Sequence, residues 1–318
     1  MATGFAVLLI AGIVVTSWMA VRARRAEQEA RAVNDFLQSD LLTQASSYSQ
    51  ATPDTKPDPD LKVRTALDRA AARVAAKFAA QPLVEASIRR TIGGAYIDLS
   101  LYSDAEGQFE RALAIRQRLL GSKNPDTLAS KADMARVFER EGRYGEAEQL
   151  CREVTDTSRS VLGAEDPATL RAMLSLAATY GGEAKYDAAE SVLSSVLPAV
   201  RRVLGEETPE TLRAMGNLAA MYPFERQYAL AEPLYLKTLA LRRRVSGPEH
   251  PETLLVLSNL AELCRDEGNY AKSQPLYLEA LEAQRRVLAS RKLKRSTRRP
   301  WKRSAVASER AIRLQPPR

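Results

Sequence analysis

The stretch Gly205-Glu206-Glu207-Thr208-Pro209-Glu210-Thr211-Leu212, followed by Asn217-Leu218-Ala219-Ala220-Met221-Tyr222, decides the fold, because its pieces return every 42 residues. Gly121, Gly163, Gly205 and Gly247 stand 42 apart, as do Pro125, Pro167, Pro209 and Pro251. Each proline precedes a Thr-Leu pair: Thr127-Leu128, Thr169-Leu170, Thr211-Leu212 and Thr253-Leu254. Ala135, Ala177, Ala219 and Ala261 share one slot, and Tyr144, Tyr186, Tyr228 and Tyr270 another. A fixed period of roughly 20 to 50 residues marks stacked supersecondary units. Such a chain works by offering a surface, so binding is the expected role.

Each unit reads as a helical hairpin. Apolar and small residues fall at helical spacing in its first half (Met134, Ala135 and Phe138; Leu218, Ala219 and Tyr222). A polar break such as Glu141-Gly142-Arg143 precedes a second helix carrying Ala147, Leu150, Cys151 and Val154. Asn124, Asp166 and Thr208 stand where a side chain caps exposed amides, with proline at the first helical position. Asp126, Glu210 and Glu252 sit where the helix dipole favours negative charge. The link glycines end the preceding helices.

The run Asn217-Leu218-Ala219-Ala220-Met221-Tyr222, with Gln227-Tyr228 and Ala231-Glu232-Pro233-Leu234-Tyr235, resembles the tetratricopeptide repeat. The Gly-x-x-x-Pro-x-Thr-Leu link resembles the longer repeats of kinesin light chains and of bacterial signalling proteins. Four copies cover roughly residues 121–290. A fifth, earlier copy lacks the proline but keeps Tyr96, Tyr102, Ala105, Glu106, Phe109, Ala112 and Leu113. The resemblance implies an all-α, right-handed solenoid of about five hairpins over residues 83–290.

The ends differ from the repeats. Residues 2–21 contain no charge, and about 20 apolar residues suffice to cross a bilayer. Trp18 lies near their end and Arg22, Arg24 and Arg25 follow, so residues 1–21 are expected to form a transmembrane anchor. All the nearby positive charge lies downstream, which predicts repeats on the cytoplasmic side. Residues 22–48 read as a juxtamembrane helix, 49–60 as a linker with Pro53, Pro57 and Pro59, and 61–82 as a connecting helix. This region resembles the membrane-to-repeat portion of bacterial serine/threonine kinases. The alternative reading is therefore a detached sensory or scaffolding half of a kinase-type receptor.

The formal charge of +8 is concentrated at one end. Residues 291–318 hold eleven Lys/Arg against Glu309 alone, so the rest of the chain sums to about −2 and does not invite polyanions in bulk. That basic tail reads as disordered, with anionic lipid its expected contact and nucleic acid not expected. Ala289 stands where a fifth link glycine falls due. Pro198 predicts a kink in its helix, Pro233 and Pro275 fall in first turns, and Pro223-Phe224 should shorten a helix and expose Phe224.

Catalytic chemistry finds no foothold. The sole histidine, His250, occupies the capping slot of Asn124, Asp166 and Thr208. Gly93-Gly94 and Gly181-Gly182 lack the spacing of a phosphate loop. One histidine and two separated cysteines, Cys151 and Cys264, cannot build a structural zinc site, and both cysteines read as unpaired core thiols. No cofactor or metal is expected, and no enzyme. The resemblance instead implies a groove lined by the first helix of each hairpin. Its slots hold Arg136, Arg171, Arg213, Asn217, Asn259 and Glu262 as candidate contacts to a protein or peptide partner. Asn217 and Asn259 match the asparagine that grips peptide backbone in related repeats, while Asp133 and Ser175 occupy that slot in the earlier copies.

Overall fold

A computed structural model describes residue 27 and residues 30–36, 62–222 and 227–297, with side chains up to 290. Every regular element among them is helical. In chain order these are α1 (Val63–Lys77), α2 (Pro82–Asp98), α3 (Tyr102–Leu120), α4 (Pro125–Arg140), α5 (Tyr144–Leu162) and α6 (Pro167–Gly182). They continue with α7 (Tyr186–Val203), α8 (Pro209–Met221), α9 (Tyr228–Val245), α10 (Pro251–Asp266) and α11 (Tyr270–Thr297). Residues 30–36, ahead of α1, are also helical. Within each unit, from α2 onward, first arms (α2, α4, α6, α8, α10) alternate with second arms (α3, α5, α7, α9, α11).

The repeated link builds each first arm in the same way. Asn124 accepts a hydrogen bond from the Asp126 amide at 2.9 Å, and Asp166 from the Ala168 amide at 2.8 Å. Thr208 accepts from the Thr211 amide at 3.4 Å, and His250 Nδ1 from the Glu252 amide at 3.3 Å. The lone histidine is a helix cap. Upstream, Gly121 (φ 85°, ψ 163°) and Gly163 (φ 97°, ψ 163°) hold a conformation closed to residues with a Cβ. Ala289 cannot make that turn, and α11 runs through it to Thr297.

The turn inside each hairpin is equally periodic. Leu101 donates to the Tyr96 carbonyl, Arg143 to Phe138 and Asn269 to Cys264, each at 2.8 Å, and Gln227 donates to Tyr222 at 2.9 Å. The first three closures span six residues with a left-handed residue just before the donor. Gly142 and Gly268 supply it at φ 76° and 75°, but Ser100 (φ 59°) and Ala184 (φ 60°) must adopt it with a side chain. At the first of the glycine turns Arg143 stacks 4.0 Å from the Phe138 ring and reaches Glu106, Glu141 and Glu146 at 2.8–3.0 Å.

The chain divides into two compact units, Met1–Glu183 and Ala184–Arg318, so the boundary falls in the turn between α6 and α7. The first unit packs Leu67, Val74, Ile88, Ile92, Tyr96, Phe109, Val137 and Phe138 into one core. Phe36 joins it, its ring edge-on to Phe78 at 6.2 Å. The phenol of Tyr96 donates to Asp68 at 2.7 Å. Two buried arginines find polar partners: Arg89 bonds Glu85 (2.7 Å) and Gln108 (2.9 Å), and Arg116 bonds Ser87 (2.8 Å) and Ser130 (2.9 Å). Gly93 and Gly182 have a packing role, since a Cβ there would collide with Phe109 and Tyr144 respectively. The second unit buries Ala219, Ala231, Tyr235, Leu239, Leu257, Leu260, Leu263 and Cys264 together. Cys151 and Cys264 are buried and unpaired.

The expected placement of the protein in a membrane, with its repeats on the cytoplasmic side, is corrected here. Among the described residues no helix is long and apolar enough to cross a bilayer. The 19-residue α3 shows why, carrying Asp104, Glu106, Glu110, Arg111, Arg116 and Arg118, each costly in hydrocarbon. Residues 2–21, on which the anchor rested, lie outside the described residues, as do the 49–60 linker, Pro223-Phe224 and the tail beyond 297. Two proline readings need adjusting too: Pro233 and Pro275 stand inside α9 and α11, beyond the four free amides of a first turn. Pro198 lies within α7, which runs on to Val203.

Candidate partner-binding face

In the first unit the first arms α2, α4 and α6 are neighbours. Arg136 on α4 and Arg171 on α6 are exposed. Arg136 lies 3.4 Å from Asp133 and 6.0 Å from the Phe109 ring. Asp133 itself is buried and also accepts from Arg90 on α2. Ser175 turns inward on its own helix, donating to the Arg171 carbonyl at 3.1 Å.

In the second unit α8 carries Arg213, exposed, and Asn217, half-buried one turn later. The equivalent positions of α10 are Leu255 and Asn259. Leu255 is 60% exposed, an apolar side chain in the slot that Arg171 and Arg213 fill elsewhere. Glu262 is exposed and paired with Arg265 at 3.0 Å. Asn259 is partly committed to the core, because its side chain hydrogen-bonds the Tyr235 phenol. Burial pushes that phenol up to about 12, with the Asn259 bond acting in the opposite direction. Gly216, one residue before Asn217, faces Val256 of α10 at a distance that leaves ordinary van der Waals room.

The candidate residues thus fall into two groups by unit: Arg136 and Arg171 in the first, and Arg213, Asn217, Asn259 and Glu262 in the second. Two residues of this candidate face escape the sequence reading. Arg90 was hidden because its copy lacks the link proline, although the 42-residue step back from Ala132 reaches it. Leu255 was hidden because leucine in a helix reads as core. No cluster of metal-ligating side chains occurs among the described residues.

Paired helices with this link, these caps and these small-residue crossings define a helical-repeat protein. The chain belongs to the tetratricopeptide repeat family, whose model matches residues 84–157, 128–201 and 224–286, more than half of its length. The structure is similar to a putative kinesin light chain with nearly identical repeats from Podosopora anserina. That match has 25% identity and a TM-score of 0.53, covering 63% of this chain and 94% of the other. It is similar to BtubC (BKLC) from P. vanneervenii at 17% identity and a TM-score of 0.60, over 70% of this chain and 90% of that one. It is also similar to a Rap protein complexed with Competence and Sporulation Factor, at 13% identity and a TM-score of 0.55, over 81% and 76% of the two chains. At such identities the last two speak to the fold alone. No curated protein matches the chain. Repeats of this family serve as protein–protein interaction scaffolds, and no catalytic family is indicated.

Proposed function

We propose that the chain is a binding scaffold whose first-arm faces hold an extended segment of a partner protein. The observation that carries this reading is the pair Arg213 and Asn217 on α8, an exposed guanidinium and a half-buried amide one turn apart. An amide donates and accepts at once, which suits it to peptide backbone, and Asn259 repeats it on α10. Arg136, Arg171 and Glu262 add charged contacts along the same kind of face. The similar Rap protein, solved with Competence and Sporulation Factor, lends support from the fold.

The test begins with peptides selected from a displayed library on the full chain. The Asn217→Ala variant should weaken the selected peptide by about 1–3 kcal/mol, the usual range for an unpaired polar contact. Asn217→Ala is cleaner than Asn259→Ala, because the latter also strips a partner from the buried Tyr235. Unchanged affinity by titration calorimetry in the Asn217→Ala/Asn259→Ala double variant would remove the amide clamp.

A further inference from the structure

Tyr277 and Leu281 of α11 stand in slots that the preceding second arms bury: Leu193 and Leu197 on α7, Tyr235 and Leu239 on α9, none more than 8% exposed. On α9 the cover is the next first arm, since Tyr235 and Leu239 pack with Leu257 and Leu260 of α10. Among the described residues no helix follows α11, and there Tyr277 and Leu281 are 37% and 43% exposed. Exposed Leu278 and Leu288 extend the same apolar surface. Leu278, Leu281, Arg285 and Leu288 follow at steps of three, four and three, the spacing by which one helix seats against another.

Charge indicates what covers this face. Glu282 and Arg285 are exposed beside the apolar stripe, and neither forms an ion pair among the described residues. Their neighbours Glu279 and Arg286 are matched within the chain, by Arg243 and Glu249. We propose that the α11 face is an antiparallel interface between two copies of this chain. A two-fold axis crossing the helix near Ala283 and Gln284 brings Leu278 to Leu288 of the second copy, and Glu282 to its Arg285, twice over. The face is then complementary to itself, as a two-fold contact requires. A parallel pair would instead set Arg285 against itself, together with the rest of the six Lys/Arg between residues 285 and 297. The interface uses a second arm and not the first-arm faces, so it stands or falls independently of the scaffold reading.

The full chain is measured by sedimentation equilibrium at about 100 μM, where an interface of micromolar strength is filled. The expected mass is twice the 35.1 kDa of one chain. Leu278→Glu/Leu288→Glu changes two exposed positions and sets carboxylates against each other, so dimerisation should weaken at least about tenfold. Glu282→Arg and Arg285→Glu each make the contact like-charged and should weaken it similarly. Mixed one to one, those two variants should recover a dimer, because every residue 282 then meets the opposite charge at 285; circular dichroism checks that each variant is folded. A monomeric mass for the full chain, or a mass above two chains, overturns the interface. So does a dimer untouched by Leu278→Glu/Leu288→Glu, whose contact must lie elsewhere in the chain. Folded charge variants that lose their own dimers yet fail to pair when mixed overturn the antiparallel register. A full chain that is monomeric and dimerises only after residues 298–318 are removed overturns the second copy as occupant and assigns the face to that segment.

Discussion

A Cβ at Gly93 would lie 2.7 Å from Cε1 of Phe109, closer than carbon atoms of unbonded residues can sit. Gly93 belongs to the slot that Ala135, Ala177, Ala219 and Ala261 fill, and here an aromatic ring leans onto the backbone of the first arm. Cys151, Leu193 and Tyr235 stand in the later copies of the Phe109 position. Alanine would improve helix propensity by about 1 kcal/mol. Against that stands overpacking of a ring that is fully buried and cannot swing aside, costing about 1–3 kcal/mol. Gly93→Ala is expected to lower the midpoint of chemical denaturation; a higher midpoint would mean that Phe109 yields.

The Ala219→Leu substitution tests the same crossing in the second unit. Ala219 has no exposed surface and packs in the cluster of Ala231, Tyr235 and Leu257. Three added carbons would have to displace these buried neighbours, so a loss of about 1–3 kcal/mol is expected. A melting temperature equal to that of the unmodified protein would show that the crossing has slack.

Ala184 should be improvable. It sits at φ 60° in the turn slot that Gly142 and Gly268 occupy, and left-handed backbone costs an L-residue roughly 1–2 kcal/mol. Glycine removes that strain but adds freedom to the unfolded chain, a cost of about 0.4–1 kcal/mol. Ala184→Gly is therefore expected to raise stability by up to about 1 kcal/mol, read from denaturation curves at constant slope. A destabilised variant would show that the alanine methyl makes contacts worth more than the strain.

Two buried groups predict alkaline weakness. Burial pushes the Cys151 thiol from 9.0 up to about 11, with the Thr179 hydroxyl opposing and Glu139 adding to the shift. Tyr235 rises from 10.0 to about 12, chiefly by burial. Both folded values lie above the unfolded ones, so the folded state holds protons that the unfolded chain releases. Their contribution is fully present below pH 9.0 and is lost as pH climbs through about 11 for Cys151 and about 12 for Tyr235. Denaturation midpoints should fall from pH 9.0 upward, and Cys151→Ala should delay the onset. A midpoint flat from pH 9.0 to about 11 would contradict the burial of the thiol.

Some of the site was legible in residue spacing and some was not. His250 was readable as a cap because capping depends on position relative to Pro251, a purely local relation. Pro233 and Pro275 were misplaced because α9 and α11 start at Tyr228 and Tyr270, and a shift of one or two residues moves a proline past the free amides. Asp133 looked like a failed asparagine, since nothing local reveals that Arg90, 43 residues earlier, reaches the same carboxylate.

What the sequence by itself determined is the hairpin and its repetition. Link glycines, capping side chains, first-turn prolines and small crossing residues act within a few residues of themselves, so a 42-residue period carries them intact. Only the tertiary structure decided which polar residues are spent inside the fold and which stay exposed. Asn259 is drawn to the Tyr235 phenol, Arg89 and Arg116 are buried, and Leu255 is left in the open. Those outcomes depend on which side chain of the neighbouring helix lies within hydrogen-bonding distance, a relation between repeats that the period of one repeat does not contain.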